Sequence, residues 1–68
     1  MKRTVKLFVI PKGHGTAAPE PGPDFTVEGS GFDELRQQVH AHLDAKGLRV
    51  RSVNFAPDGM IAYAEVRP

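Results

Sequence analysis

The side chains that could carry metal or acid–base chemistry are few and widely spaced. His14 lies in a glycine-containing segment, whereas His40 and His42 lie two residues apart in a segment with helical periodicity. Side chains two apart on a helix point about 200° apart around its axis, so these two imidazoles cannot share one metal ion. The sequence therefore predicts no metal site and no cofactor.

The hydroxyl side chains do not assemble a catalytic set either. A nucleophilic serine needs a nearby base, whereas Ser30 stands where a helix would begin and Ser52 lies in a strand-like run. Residues 12–15 place two glycines beside a lysine, but the lysine–serine or lysine–threonine ending of a phosphate-binding loop is missing. We therefore expect a protein that is not an enzyme. A catalytic function would require His14 or His40 to lie beside an acid in a pocket.

Basic residues recur at alternate positions of two strand-like segments, one near the N-terminus and one after residue 48. If they project from an uncovered sheet face, they form a cationic surface that can contact phosphates. The candidate nucleic-acid or anion contacts are Lys2, Arg3, Lys6, Arg49 and Arg51. The alternative interpretation is a solvated face without a ligand.

Aromatic residues bear on the same question, because proteins that bind single strands stack bases on exposed rings. Tyr63 is a plausible exposed ring, whereas the core is expected to need most of the others, which are Phe8, Phe25, Phe32 and Phe55. Nine Lys and Arg against eight Asp and Glu give a formal net charge of +1, which predicts no strong non-specific attraction to nucleic acid. Nucleic-acid binding is therefore the alternative function.

Length and composition limit the architecture. The 68 residues are 40% hydrophobic and 25% charged, which is typical of one small globular domain spanning residues 1–68. The chain contains no Cys, which excludes disulfides and thiolate metal sites. No apolar run is long enough to span a membrane, so we expect a soluble, cytoplasmic protein with no membrane partner.

The first half of the chain reads as two strands joined by a long loop. Residues 4–10 are β-branched and aromatic and are apolar on both faces toward their end, which favours a central strand that Pro11 terminates. Residues 12–24 hold three of the seven glycines and three of the six prolines, and we expect a flexible loop there. Such a loop is either functional or simply mobile. Residues 25–28 alternate in a way that suits a short strand.

A helix is predicted at about residues 31–46. Ser30 can cap it while Asp33 reaches back to the cap amide, and Glu34 adds negative charge where the helix dipole favours it. Gly47 suits the left-handed position that ends a helix. The spacing of the apolar residues predicts a core-facing stripe formed by Phe32, Leu35, Val39 and Leu43.

Two further strands follow the helix. Residues 48–55 change the phase of their apolar residues, because Leu48 and Val50 share one parity while Val53 and Phe55 share the other. A bulge near residues 51–52 would restore the phase, and so would a strand covered on both faces at one end. The Ala-Pro-Asp-Gly sequence at 56–59 predicts a tight turn in which the glycine can adopt positive φ, and residues 60–66 form the return strand.

These elements predict an α+β fold in ββαββ order, with one helix packed on one face of a small mixed four-stranded sheet. A split βαββ arrangement, with residues 25–28 merely extended, is the alternative. The order resembles that of the ubiquitin-like β-grasp fold, although no motif of a specific family is present. The chain ends Glu65-Val66-Arg67-Pro68 and lacks the di-glycine tail of ubiquitin-like modifiers, so the resemblance implies the fold and not their chemistry.

A single helix cannot cover both faces of a sheet, and an uncovered face or edge is a common binding surface. We therefore expect a small non-enzymatic interaction module that binds a protein partner, or a second copy of itself, through a sheet edge or the open sheet face. Binding of nucleic acid through the five basic residues is the alternative, and it would weaken steeply with salt.

Overall fold

The computed structural model describes residues 1–11 and 18–66. Over these residues the elements run in the order β1 (Lys2–Ile10), β2 (Glu20–Pro21), β3 (Phe25–Glu28), α1 (Phe32–Ala45), β4 (Leu48–Ala56) and β5 (Gly59–Val66). The predicted helix and return strand agree closely with α1 and β5. The first part of the expected loop, with His14, lies outside the described residues, whereas its second part contributes β2.

The sheet is mixed and is built around a parallel central pair. β1 and β5 run parallel, from Val5 opposite Met60 to Ile10 opposite Glu65. β4 pairs antiparallel with the other side of β5, while β3 and β2 pair antiparallel with the two halves of the other side of β1. The predicted mixed sheet with one helix is therefore confirmed, with five strands rather than four. β3 is a hydrogen-bonded strand, which excludes the split βαββ alternative.

The core lies between α1 and one face of this sheet. Alternate residues of β1, β3 and β5 point toward the helix, and every third or fourth residue of α1 points toward the sheet, as the two backbone periods require. The buried residues are Val5, Leu7, Val27, Leu35, Val39, Leu43, Met60, Ala62 and Ala64.

The phase change in β4 is resolved by a bulge. Val50 lies opposite Ala64 and Ser52 lies opposite Tyr63, so Arg51 is the extra residue between two consecutive pairs. The bulge lets Val53 pack toward the core on the same face as Val50. The bulge predicted near residues 51–52 is therefore confirmed.

The two ends of α1 differ in how well the sequence predicted them. The N-cap is Gly31, and the acid that reaches back is Glu34, which accepts hydrogen bonds from the hydroxyl and the amide of Ser30 at 2.7 and 3.2 Å. The prediction that Asp33 does this was wrong, because the helix begins one residue later than a Ser30 cap requires. At the other end Gly47 takes a φ of 75°, as expected.

Phe32 also departs from the prediction that it belongs to the core stripe. It is 54% exposed, whereas Leu35, Val39 and Leu43 are fully buried. As the first residue of α1 it lies at the end of the helix, where its ring packs sideways against Phe55 with centroids 4.7 Å apart. In the described part of the chain, no helix has the length and hydropathy needed to cross a membrane.

Candidate interaction surface

The face of the sheet opposite α1 is here called the open face. Residues paired in register share a face, so the even-numbered residues of β1 and the odd-numbered residues of β5 define it together with their partners on β3 and β4. In the ranges 1–11 and 18–66, no other element packs over it as α1 packs over the core face. The side chains on its three longest strands are Lys2, Thr4, Lys6, Phe8, Ile10, Ile61, Tyr63, Glu65, Arg49, Arg51, Ser52, Asn54 and Ala56.

Four apolar residues occupy the middle of the open face, and we call them the apolar centre: Phe8, Ile10, Ile61 and Tyr63. All four are half-buried. Phe8 and Tyr63 are cross-strand neighbours whose rings stack, with centroids 5.4 Å apart and planes inclined by 22°. Each ring therefore has one face covered by the other ring, and the stacked pair forms an apolar ridge on the open face.

Two arginines and one acid lie beside this ridge. The carboxylate of Glu65 forms ion pairs with both Arg49 and Arg51, with N–O distances of 3.7 and 3.2 Å. The carboxylate is 27% exposed, while the arginines remain 69% and 56% exposed. Such solvated pairs contribute only about 0–1 kcal/mol to stability, but they hold both guanidinium groups at the carboxylate of Glu65, which lies two residues after Tyr63 on the same face of β5.

Four of the five predicted basic contacts lie on the open face. Lys2 and Lys6 share it with Arg49 and Arg51, whereas Arg3 lies opposite Val27 on the core side of the sheet. Among the described residues, neither Lys2 nor Lys6 makes an ion pair. The alternation of side chains along β1 predicts that Arg3 lies on the opposite face from Lys2 and Lys6. Only the pairing of the strands shows that these two lysines share a face with Arg49 and Arg51.

A pocket of about 320 Å³ opens where the open face meets the β4–β5 turn. Its lining offers an amine from Lys6, a hydroxyl from Thr4 and a carboxylate from Asp58, with Ile61 as an apolar wall. Gly59 forms the floor, and its absent side chain is essential, because a Cβ there would lie 2.6 Å from the carbonyl oxygen of Thr4. The tight turn predicted at residues 56–59 is confirmed, because Ala56 lies opposite Gly59, and Gly59 does not use the positive φ that a glycine could adopt there. The described residues that line the pocket include no imidazole and no thiol.

The two histidines that the structure describes, His40 and His42, lie away from this surface. His40 is exposed on α1, and the ring of His42 stacks on Phe25 with centroids 3.9 Å apart. The His42 Nε2 atom is buried without a hydrogen-bond partner in the described structure, so this side chain acts as part of the packing between α1 and β3. No group of three or more potential metal ligands occurs among the residues described.

Sequence reasoning missed three of the four residues of the apolar centre, namely Phe8, Ile10 and Ile61. Phe8 is expected in the core with the other phenylalanines, although its parity differs from that of Val5 and Leu7. The alternation along β1 was the available signal. It was ambiguous because β1 is apolar on both faces, and the position of the single helix decides which face becomes the core.

No family model matches the chain, and comparisons with curated proteins and with solved structures found no match.

Proposed function

We propose that this protein is a non-enzymatic interaction module that binds a protein partner through the open face of its sheet. The observation that carries the proposal is the apolar centre, in which two stacked aromatic rings and two isoleucines lie half-buried on an uncovered face. Charged side chains lie beside this centre on β1, β4 and β5, namely Lys6, Arg49, Arg51 and Glu65. A central aromatic patch with a polar rim that includes arginines is the composition typical of protein interfaces.

The face is a better binding surface than either edge. On the β4 edge, the bulge at Arg51 interrupts the regular ladder, and Arg49 and Arg51 are both exposed there, which are features that discourage strand addition. On the opposite edge, the two-residue β2 and the four-residue β3 are separated by residues 22–24. Within residues 1–11 and 18–66, neither edge offers a long, regular row of backbone groups to a partner strand.

Nucleic-acid binding is the second candidate, and the four cations on one face favour it. Two observations place it behind a protein partner. Phe8 and Tyr63 stack on each other, so each has already used one ring face that a base would need. Arg49 and Arg51 already share the carboxylate of Glu65.

The proposal can be tested by affinity capture from a cell lysate with three forms of the protein. The wild type is compared with Tyr63→Ser, which removes half of the aromatic pair, and with Phe32→Ser, which removes an exposed ring that does not belong to the open face. Circular dichroism verifies that each variant is folded. We expect Tyr63→Ser to lose the bound proteins and Phe32→Ser to keep them. Equal retention by Tyr63→Ser and the wild type would contradict the proposal.

Amide NMR titration with short single- and double-stranded oligonucleotides, at low and moderate salt, separates the two candidates. We expect no salt-sensitive shifts. Salt-sensitive shifts clustered at Lys6, Arg49 and Arg51 would favour the nucleic-acid function instead.

A further inference from the structure

We infer that the partner segment recognised by the open face is acidic, and that Lys6 is the residue that pairs with its carboxylates. This inference rests on the proposed function, and it adds the chemistry of the partner: carboxylates next to an apolar side chain.

The first argument is the distribution of charge between the two sides of the molecule. The open face carries four cations, namely Lys2, Lys6, Arg49 and Arg51, against the two acids Glu28 and Glu65, a net charge of +2. Helix α1 with its C-cap carries two cations, Arg36 and Lys46, against three acids, Asp33, Glu34 and Asp44, a net charge of −1 with neutral histidines. The chain total of +1 conceals this polarity. Complementary potentials favour an acidic partner on the open face and repel it from the helix side.

The second argument is that the cations of the open face differ in whether they already pair with an acid. Arg49 and Arg51 are each within 4 Å of Glu65, whereas Lys6 is exposed and has no acid partner among the described residues. Lys6 lies directly opposite Ile61 of the apolar centre. An apolar partner side chain that packs on this centre therefore brings a neighbouring carboxylate within reach of the Lys6 ammonium group.

The pocket beside Lys6 is consistent with such a contact. Thr4 and Lys6 line it from β1, and the Thr4 hydroxyl can donate a second hydrogen bond to a carboxylate. Asp58 lines the same pocket from the β4–β5 turn. Counting Asp58 with the open face leaves four cations against three acids, so the surface stays positive.

A second copy of the chain fits this surface less well. Two open faces stacked on each other would bring together surfaces of like net charge, which opposes association. The acidic helix side cannot close a symmetric dimer with the open face, because that contact joins two different surfaces and continues from copy to copy. An acidic segment of another protein meets neither obstacle.

The test uses three fluorescent peptides and measures their anisotropy on titration with the intact protein. In the first peptide Glu and Leu alternate; in the other two, Gln or Lys replaces Glu. We expect the Glu peptide to bind in a salt-dependent manner, the Gln peptide to bind about tenfold more weakly, a change of about 1.4 kcal/mol, and the Lys peptide not to bind.

Two single-charge variants then locate the contact. Lys6→Gln and Lys46→Gln each remove one exposed positive charge, the first from the open face and the second from the end of α1. We expect Lys6→Gln to weaken binding of the Glu peptide by about three- to fivefold, as for one exposed ion pair, and Lys46→Gln to leave it unchanged. Equal weakening by both variants would show a net-charge effect and overturn the inference.

The remaining outcomes also decide the question. Equal binding of the Glu and Gln peptides, or no binding of any peptide, overturns the acidic-partner inference, while the Tyr63→Ser capture experiment judges the proposed function independently. A single-stranded oligonucleotide that binds more tightly than the Glu peptide, with the same dependence on Lys6, would assign the cations to phosphate and overturn the inference.

Discussion

The identity of Gly59 is determined by the neighbouring strand β1, whose backbone leaves no space for a side chain at this position. The carbonyl oxygen of Thr4 occupies the space where a Cβ on Gly59 would lie, at a distance of 2.6 Å. Both groups belong to the backbone of the central strand pair, in which Val5 lies opposite Met60. Relief of the clash would therefore require β1 and β5 to move apart.

We accordingly expect Gly59→Ala to lower the free energy of unfolding by about 1–3 kcal/mol, the usual cost of overpacking, measured by urea denaturation. Gly31→Ser is the matched control, because the Gly31 backbone is extended at φ −163° and a Cβ there meets nothing within 4 Å. A serine at this N-cap should add about a few tenths of a kcal/mol. A Gly59→Ala protein as stable as the wild type would refute the close approach to Thr4.

At the scale of the elements, the start of α1 depends on one carboxylate. The Ser30 side chain, and next the Ser30 amide, donate hydrogen bonds to Glu34 and lower the pKa of its carboxyl group. A depressed pKa in the folded state stabilises the fold above the ordinary pKa of the carboxyl group, and this contribution is lost as the pH falls through the folded value.

We therefore expect Glu34→Gln to reduce the urea midpoint at neutral pH, and the difference from the wild type to vanish in acid below the ordinary carboxyl range. Asp33→Asn is the control, because it removes a negative charge from the same helical turn. The Asp33 side chain is 95% exposed and pairs with Arg36. A deficit of Glu34→Gln that stays constant with pH, or an equal deficit in Asp33→Asn, would argue against the Ser30 contact as its cause.

Strand β4 gives a second prediction at this scale. Arg51 is the extra residue of the bulge, so its deletion joins Val50 and Ser52 as consecutive residues of a regular ladder and keeps Val53 and Phe55 facing the core. We expect this deletion to leave the fold intact, at a loss of about 1 kcal/mol or less for the exposed pair with Glu65. Thermal unfolding and the amide NMR spectrum measure the effect.

The control is deletion of Asn54, an exposed neighbour in the regular part of the ladder. Its loss puts Val53 and Phe55 on opposite faces, which we expect to cost about 2 kcal/mol or more in lost apolar burial. If both deletions destabilise the protein equally, the bulge has been assigned to the wrong residue.

At the scale of the whole molecule, the described residues form one layer of helix and one sheet, with unequal charge on the two sides. The like net charge of two open faces opposes self-association through them. We expect sedimentation equilibrium to find one species at the chain mass of 7.4 kDa at low and at moderate salt. A dimer that Tyr63→Ser dissociates would show instead that the open face binds a second copy of the chain.

The sequence by itself determined the features whose physical cause lies within one element. The spacing of Leu35, Val39 and Leu43 predicted the helix, Gly47 predicted its end, and the changed parity between Val50 and Val53 predicted the bulge, because each depends on the backbone period of a single segment. The sequence also predicted Lys2, Lys6, Arg49 and Arg51 as candidate anion contacts, because each is a basic residue at an alternate position of a predicted strand.

Tertiary structure decided everything that depends on which segments become neighbours. Phe8 lies on the open face because the single helix packs on the other face of β1, and Glu65 joins Arg49 and Arg51 because β5 pairs with β4. Gly59 is required because β1 lies parallel beside it. These relations connect residues far apart in the chain, and local patterns carry no information about such pairing until the strands have found their order.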